Sequence, residues 1–150
     1  MNKRIIDQEI SYAFDILDEA GIVKEDGGEK VILKGYKSQI AAFGASISMG
    51  SLISAVAFYN DKGNAAVDRT KLLKAIYKII NRQKDINDAN QSLYAYIKNE
   101  LQGCESAAYH STYARLKEEV INAAIALKLA MNLYPLKDET EIGDNDEKEK

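Results

Sequence analysis

Apolar residues recur every three or four positions along most of this chain, and that recurrence predicts helices. Ile5, Ile6, Ile10, Tyr12, Ala13, Phe14, Ile16 and Leu17 form a stripe at helical period over Lys3 to Ala20. Gly21 suits the end of this first helix, since glycine accepts the left-handed cap conformation. Glu25 to Lys30, containing Gly27-Gly28, reads as a loop. A second helix begins near Leu33 or Tyr36 and runs to Tyr59, before the turn cluster Asn60-Asp61-Lys62-Gly63-Asn64. Asp68 suits the cap of a third helix, Arg69 to about Lys84. The Asp- and Asn-rich stretch from Asp85 to Asn90 breaks the pattern. A fourth helix, about Gln91 to Leu101, stops at Gly103. Ser106 then suits the cap of a long fifth helix through Tyr134, ended by Pro135.

No sustained apolar–polar alternation marks a strand. Val31-Ile32-Leu33 is the one strand-like run, and it is short enough to lead into a helix. The expected fold is therefore all-α: a single compact bundle of four to five helices over residues 1–136, with a disordered acidic C-terminal tail over 137–150. The tail has one strong apolar residue, Ile142, too little to offset the entropy of ordering it. The segment Tyr36 to Tyr59 is expected at the centre of the bundle. Half of its 24 residues are Ala, Gly or Ser, and Lys37 is its only charge. Small side chains of this kind let helix backbones approach closely. Its mildly apolar character argues against a membrane span.

Length and composition fit one globular domain: 150 residues with 46% hydrophobic side chains. The net charge of -3 is unevenly placed. Lys137 to Lys150 holds three Lys against seven Asp or Glu, while residues 1–136 hold 17 basic and 16 acidic side chains. The acidic character thus belongs to the tail and says little about what the body binds. Cys104 is the single cysteine, which excludes an intrachain disulfide and fits a reducing cytoplasm. Met1 to Arg4 leads straight into a charged amphipathic pattern, unlike a secretory signal.

Catalytic chemistry finds little footing. His110 is the only histidine, and no CxxC or HxxxH spacing points to a metal. Cys104 and His110 would form a nucleophile pair only by an accident of folding. Asp85 to Tyr96 superficially resembles a calcium loop, but Asn90 stands where the loop needs glycine and Tyr96 where it needs glutamate. Glu118-Glu119 and Asp15, Asp18 and Glu19 read as solvated helix faces. Neither a catalytic residue, a metal ligand nor a cofactor is expected.

The third helix carries the most suggestive surface. Between Arg69 and Lys84 stand six basic residues and no acid. Lys71, Lys74, Lys78 and Arg82 are spaced three, four and four apart, which places them in one stripe. Leu72, Leu73, Ile76, Ile79 and Ile80 fall on the opposite side. Like charges at this spacing repel, and the phosphates of RNA would relieve the repulsion. A solvated face is the plainer alternative. Lys34, Lys37 and Ser38 open the second helix, where free amides and lysines favour phosphate, or simply serve solubility. Tyr36 suits base stacking but is more simply core. Tyr94, Tyr96, Tyr109 and Tyr113, with His110, Arg115 and Lys117 beside them, suit either a single-strand-binding surface or a subunit interface.

The Tyr36-Lys37-Ser38 opening, the small-residue midsection with Gly50-Ser51-Leu52 and the Val56-Ala57-Phe58-Tyr59 close resemble the second helix of a known family. That family is the small subunit of the type III-B CRISPR effector, the Cmr complex. Leu127-Lys128 also matches its last helix, with Ala126 in place of the family's tryptophan. An Asn that the family tends to place before Gly-Leu is missing. The similarity runs from about Ser11 to Tyr134. It implies an all-helical, non-catalytic, cytoplasmic subunit that stacks beside the subunits carrying guide RNA. Its implied partners are other effector subunits, guide RNA, target RNA and further copies of itself in a stacked filament, with no membrane. Lys37 and Lys128 carry over as RNA-binding by position. With the residues read from charge, the candidate RNA-binding set is Lys34, Lys37, Lys71, Lys74, Lys78, Arg82, Arg115 and Lys128. The related small subunit of a type III-A complex would change the partners and not the mechanism. A helical protein–protein adaptor or oligomerisation module without nucleic acid is the alternative reading.

Overall fold

The computed structural model describes residues 1–63, 66–86 and 91–138. Among the described residues, six helices and a three-stranded sheet follow one another: α1 (Lys3–Glu19), β1 (Val23–Asp26), β2 (Glu29–Leu33), α2 (Lys34–Met49), α3 (Leu52–Tyr59), α4 (Thr70–Lys84), α5 (Leu93–Gln102), α6 (Ser106–Met131) and β3 (Leu136–Lys137). The fold is thus predominantly helical, and the all-α expectation is corrected by the small sheet. Of the acidic tail expected to be disordered over 137–150, Lys137 is instead held in β3 and Asp138 is described, while residues 139–150 lie outside the described residues.

Helix α1 ends as its sequence dictates. Gly21 takes φ +78°, its amide donates to the Asp18 carbonyl at 3.1 Å, and the Ile22 amide donates to the Leu17 carbonyl at 3.0 Å. This double closure is a Schellman motif, and it buries Ile22 beneath the helix end. The chain then forms a hairpin where a loop was expected. Gly27 and Gly28, with φ of +61° and +84°, supply the two left-handed residues that a tight two-residue turn needs. β1 and β2 pair antiparallel, from Val23 opposite Ile32 to Asp26 opposite Glu29. Val31, Ile32 and Leu33 are all buried, so the strand shows no alternation. β3 joins β2 in parallel, with Ile32 opposite Leu136 and Leu33 opposite Lys137.

The long second helix of the sequence reading is two helices, α2 and α3, and it is not the buried centre. Tyr36, Ile40, Phe43 and Ile47 form one buried stripe on α2, while Ala41, Ala42, Ala45 and Ser46 face outward. Ser51 caps α3, its hydroxyl accepting from the Ser54 amide at 3.4 Å. The central helix is α6, which packs against α1, α2, α4 and α5. Its buried Ala123, Ala124, Ala126 and Ala130 provide the close approach expected of the Ala- and Gly-rich segment upstream.

Candidate nucleic-acid interface

Two residues before helix α4, the Asp68 carboxylate accepts from the Thr70 amide at 3.1 Å and from the Thr70 hydroxyl, with Arg69 flanking the first turn. The Thr70 hydroxyl bond is the main cause holding this carboxyl below its usual range. Leu72, Leu73, Ile76, Ile79 and Ile80 are buried, which turns the basic row outward. The four members of the row differ in what they touch. The half-buried Lys71 donates from Nζ to the Gly21 carbonyl at 3.1 Å and so braces the end of α1. Lys74 is exposed. Lys78 lies 3.9 Å from a Glu19 carboxylate oxygen, with both side chains well exposed. Such a pair is worth at most about 1 kcal/mol and yields readily to another anion. The Arg82 guanidinium sits 5.2 Å from the centroid of the Tyr12 ring.

A second basic group forms where α2 starts and α6 ends. Lys34 lies 3.7 Å from an Asp138 carboxylate oxygen. Lys37 donates to the side-chain carbonyl of Asn132, the residue that caps α6. Lys128 is exposed one helical turn before Asn132, on the same face. Arg115 belongs to neither group. Its guanidinium bridges Glu119 and Glu100, each at 2.9 Å.

That bridge is part of a polar cluster that the sequence reading missed. Glu119 also accepts from Lys84 at 2.7 Å and from the Tyr96 hydroxyl at 2.8 Å, tying α4, α5 and α6 together. Lys84 was hidden among the basic residues of α4. Its distinguishing mark is that it falls off the Lys74–Lys78–Arg82 stripe, toward the neighbouring helices. Glu9, also in α1, was overlooked at an apolar-stripe position. It is 2% exposed, and one of its carboxylate oxygens has no hydrogen-bond partner. Burial first, and the charge of Glu119 second, push its pKa from 4.5 to about 7.

The tyrosines divide by role. Tyr36 and Tyr96 are buried, 3% and 5% exposed, which removes Tyr36 from any base-stacking surface. Tyr109 stacks on Tyr113 with ring centroids 6.3 Å apart, and Tyr94 and Tyr109 remain substantially exposed. Arg69, also outside the candidate set, stacks on exposed Phe58 with 4.3 Å to the ring centroid.

Residues 9–131, most of the chain, match the model of a family described as CRISPR-associated protein (Cas_Cmr5). The chain belongs to the Cas_Cmr5 family. The match spans all of α2, α3, α4 and α5, and α6 to its last residue, so every candidate basic residue lies within it. No curated protein and no solved structure matches the chain.

Membership of the Cas_Cmr5 family assigns the chain a non-enzymatic place in a CRISPR system. Among the described residues, no three His, Cys, Asp or Glu side chains gather to hold a metal ion. The Cys104 thiol donates to the Glu100 carbonyl at 3.1 Å and lies 3.0 Å from the Thr112 hydroxyl, while the His110 ring meets Tyr109 edge-on. The calcium-like stretch includes residues 87–90, outside the described residues. No described helix is long and apolar enough to cross a membrane.

Proposed function

We propose that this chain is the small subunit of a type III-B CRISPR ribonucleoprotein effector in the cytoplasm, and that its α4 face lines the groove holding guide and target RNA. The observation that carries the reading is the outward row Lys74, Lys78 and Arg82 on a helix with no acidic residue. Phosphates lie along a strand as a line of charge, and a straight cationic row is the matching shape. Lys71 sets the helix end and contributes at the margin. Lys34, Lys37 and Lys128 form a second, smaller contact at the α2–α6 end. Arg115, already held between two carboxylates, serves the fold more than the RNA. Copies stacked in a filament would repeat the row along the RNA, and contributions too weak alone would compound through effective concentration.

Co-purification from the native host, sequencing of bound small RNA and mapping of ultraviolet crosslinks test this directly. Guide-derived RNA crosslinked to α4 is the expected result. The alternative of a protein-only adaptor draws on Met49 and Phe58, 90% and 62% exposed on the α2–α3 side. It predicts partner proteins in the purified material without RNA crosslinks to this chain.

A further inference from the structure

A cleft of about 830 Å³ opens beside the basic row, between α4 and the start of α5, with the end of α1 closing one side. Its volume falls within the range of about 300–1,000 Å³ usual for small-ligand sites. The two long sides differ in character. Lys74, Lys78 and Arg82 line one. The other carries Leu93, Ile86 and Tyr94, the last two being 39% and 44% exposed despite their size. Apolar groups left open to water in a concave site are a standing cost that a bound apolar face would remove.

We infer that this cleft receives one unstacked nucleotide of a single-stranded RNA, its base against Tyr94 and Ile86 and its phosphate against Lys74 and Lys78. The inference rests on the RNA-groove reading above and adds to it a ligand unit and a place. Charge supports the match. Glu19 and Asp85 also line the cleft, so its three cations leave a balance of one positive charge. One internucleotide phosphate carries one negative charge. The loose 3.9 Å contact between Lys78 and Glu19 is the contact a phosphate would replace. An aromatic wall beside a cationic rim is the arrangement by which proteins hold single-stranded bases without reading their identity. A duplex cannot use it, because stacked bases offer their edges and not their faces.

The test uses the full chain and its amide NMR spectrum, titrated with adenosine monophosphate, ribose phosphate and a tetranucleotide RNA. Adenosine monophosphate should shift the amides around Leu93 and Tyr94 and bind at least about fivefold more tightly than ribose phosphate, the lower end of a base-stacking contribution. Tyr94→Ala should abolish that difference and leave ribose phosphate binding unchanged, whereas Tyr94→Phe should keep it. The tetranucleotide should bind more tightly than the mononucleotide. Equal binding of the mononucleotide and tetranucleotide would mark the cleft as a free-nucleotide site and overturn the RNA-strand assignment. Equal binding of adenosine monophosphate and ribose phosphate, with Lys74→Glu/Lys78→Glu still weakening the tetranucleotide, would overturn the base pocket and leave the phosphate row standing. Tetranucleotide binding that no α4 variant alters would overturn both.

Discussion

The Tyr113 hydroxyl accepts a hydrogen bond from the Leu52 backbone amide at 2.9 Å, joining α6 to the first residue of α3. It also lies 3.3 Å from the Ser51 hydroxyl, the cap of that helix. Leu52 is fully buried, so its amide has little access to water. Tyr113→Phe leaves this donor unpaired at a cost of about 1–3 kcal/mol. A thermal melt should fall by roughly 2–12 °C for a chain of this size, with helix content retained below the transition. An unchanged melt would mean that the junction between α2 and α3 is held by other contacts.

That junction shows why part of the fold was hidden in the sequence. Gly50 and Ser51 sit inside an uninterrupted run of helix-compatible residues, and the partner that secures the break lies 61 positions away. The other helices were legible within a few residues, because their apolar stripes are wide and their ends carry Gly21, Asp68 and Gly103. The hairpin was obscured for a local reason. Lys24, Glu25, Glu29 and Lys30 occupy its solvated end, and Val31-Ile32-Leu33 is buried as a block. In the site, the α4 row followed from spacing alone. The engagement of Lys71 with Gly21, of Lys37 with Asn132 and of Arg115 with two acids depends on which helices meet, which spacing cannot supply.

Glu9 should make stability fall as pH rises. Below about pH 4.5 its carboxyl is protonated in both the folded and the unfolded chain, and its favourable contribution is fully present. Between there and about pH 7 the unfolded chain ionises while the fold holds the proton, and the contribution is lost. The loss is on the order of 3 kcal/mol. Glu9→Gln keeps the shape without the titration. Its melting temperature should match wild type near about pH 4 and exceed it by roughly 6–12 °C near about pH 8.5. A pH-independent difference between the two proteins would show that Glu9 ionises alike in both states.

Two isoleucines of the Tyr36–Tyr59 segment should respond differently to a charge. Ile47 is fully buried on α2, whereas Ile53 is only partly buried and lines a shallow groove with Tyr94 and Tyr109. Ile47→Lys places an unpaired charge in the core at a cost of several kcal/mol, comparable with the whole stability of about 5–15 kcal/mol. Ile53→Lys can extend its ammonium to water and should cost about 1–2 kcal/mol. Circular dichroism should find the first unfolded and the second folded. The reverse order would contradict the packing of α2.

The acidic tail is best removed from Glu139, not from Lys137. Lys137 pairs with Asp26 at 2.8 Å and lies in β3 against β2, so cutting before it would strip the sheet edge. Deleting residues 139–150 removes six acidic and two basic side chains. The melt should stay within about 2 °C of wild type. Nonspecific RNA binding should tighten modestly, by about two- to threefold at low salt, because the acidic side chains that follow Asp138 in sequence compete with phosphate for the basic surface. Weaker binding in the truncated chain would show that the tail helps the site.

If α4 meets RNA phosphates, target-RNA binding by the assembled complex must depend on salt through this helix. Lys74 and Lys78 are both exposed, so Lys74→Glu/Lys78→Glu should assemble and melt as wild type does. Target binding should weaken, and the slope of log affinity against log salt should become shallower by about 1.4 for each copy in contact, two single-strand phosphate contacts at about 0.7 each. The loss should be the same for unrelated guide and target sequences, since phosphate contacts carry no base information. A double variant that assembles normally and binds target with wild-type affinity and slope would mean that α4 does not meet the RNA.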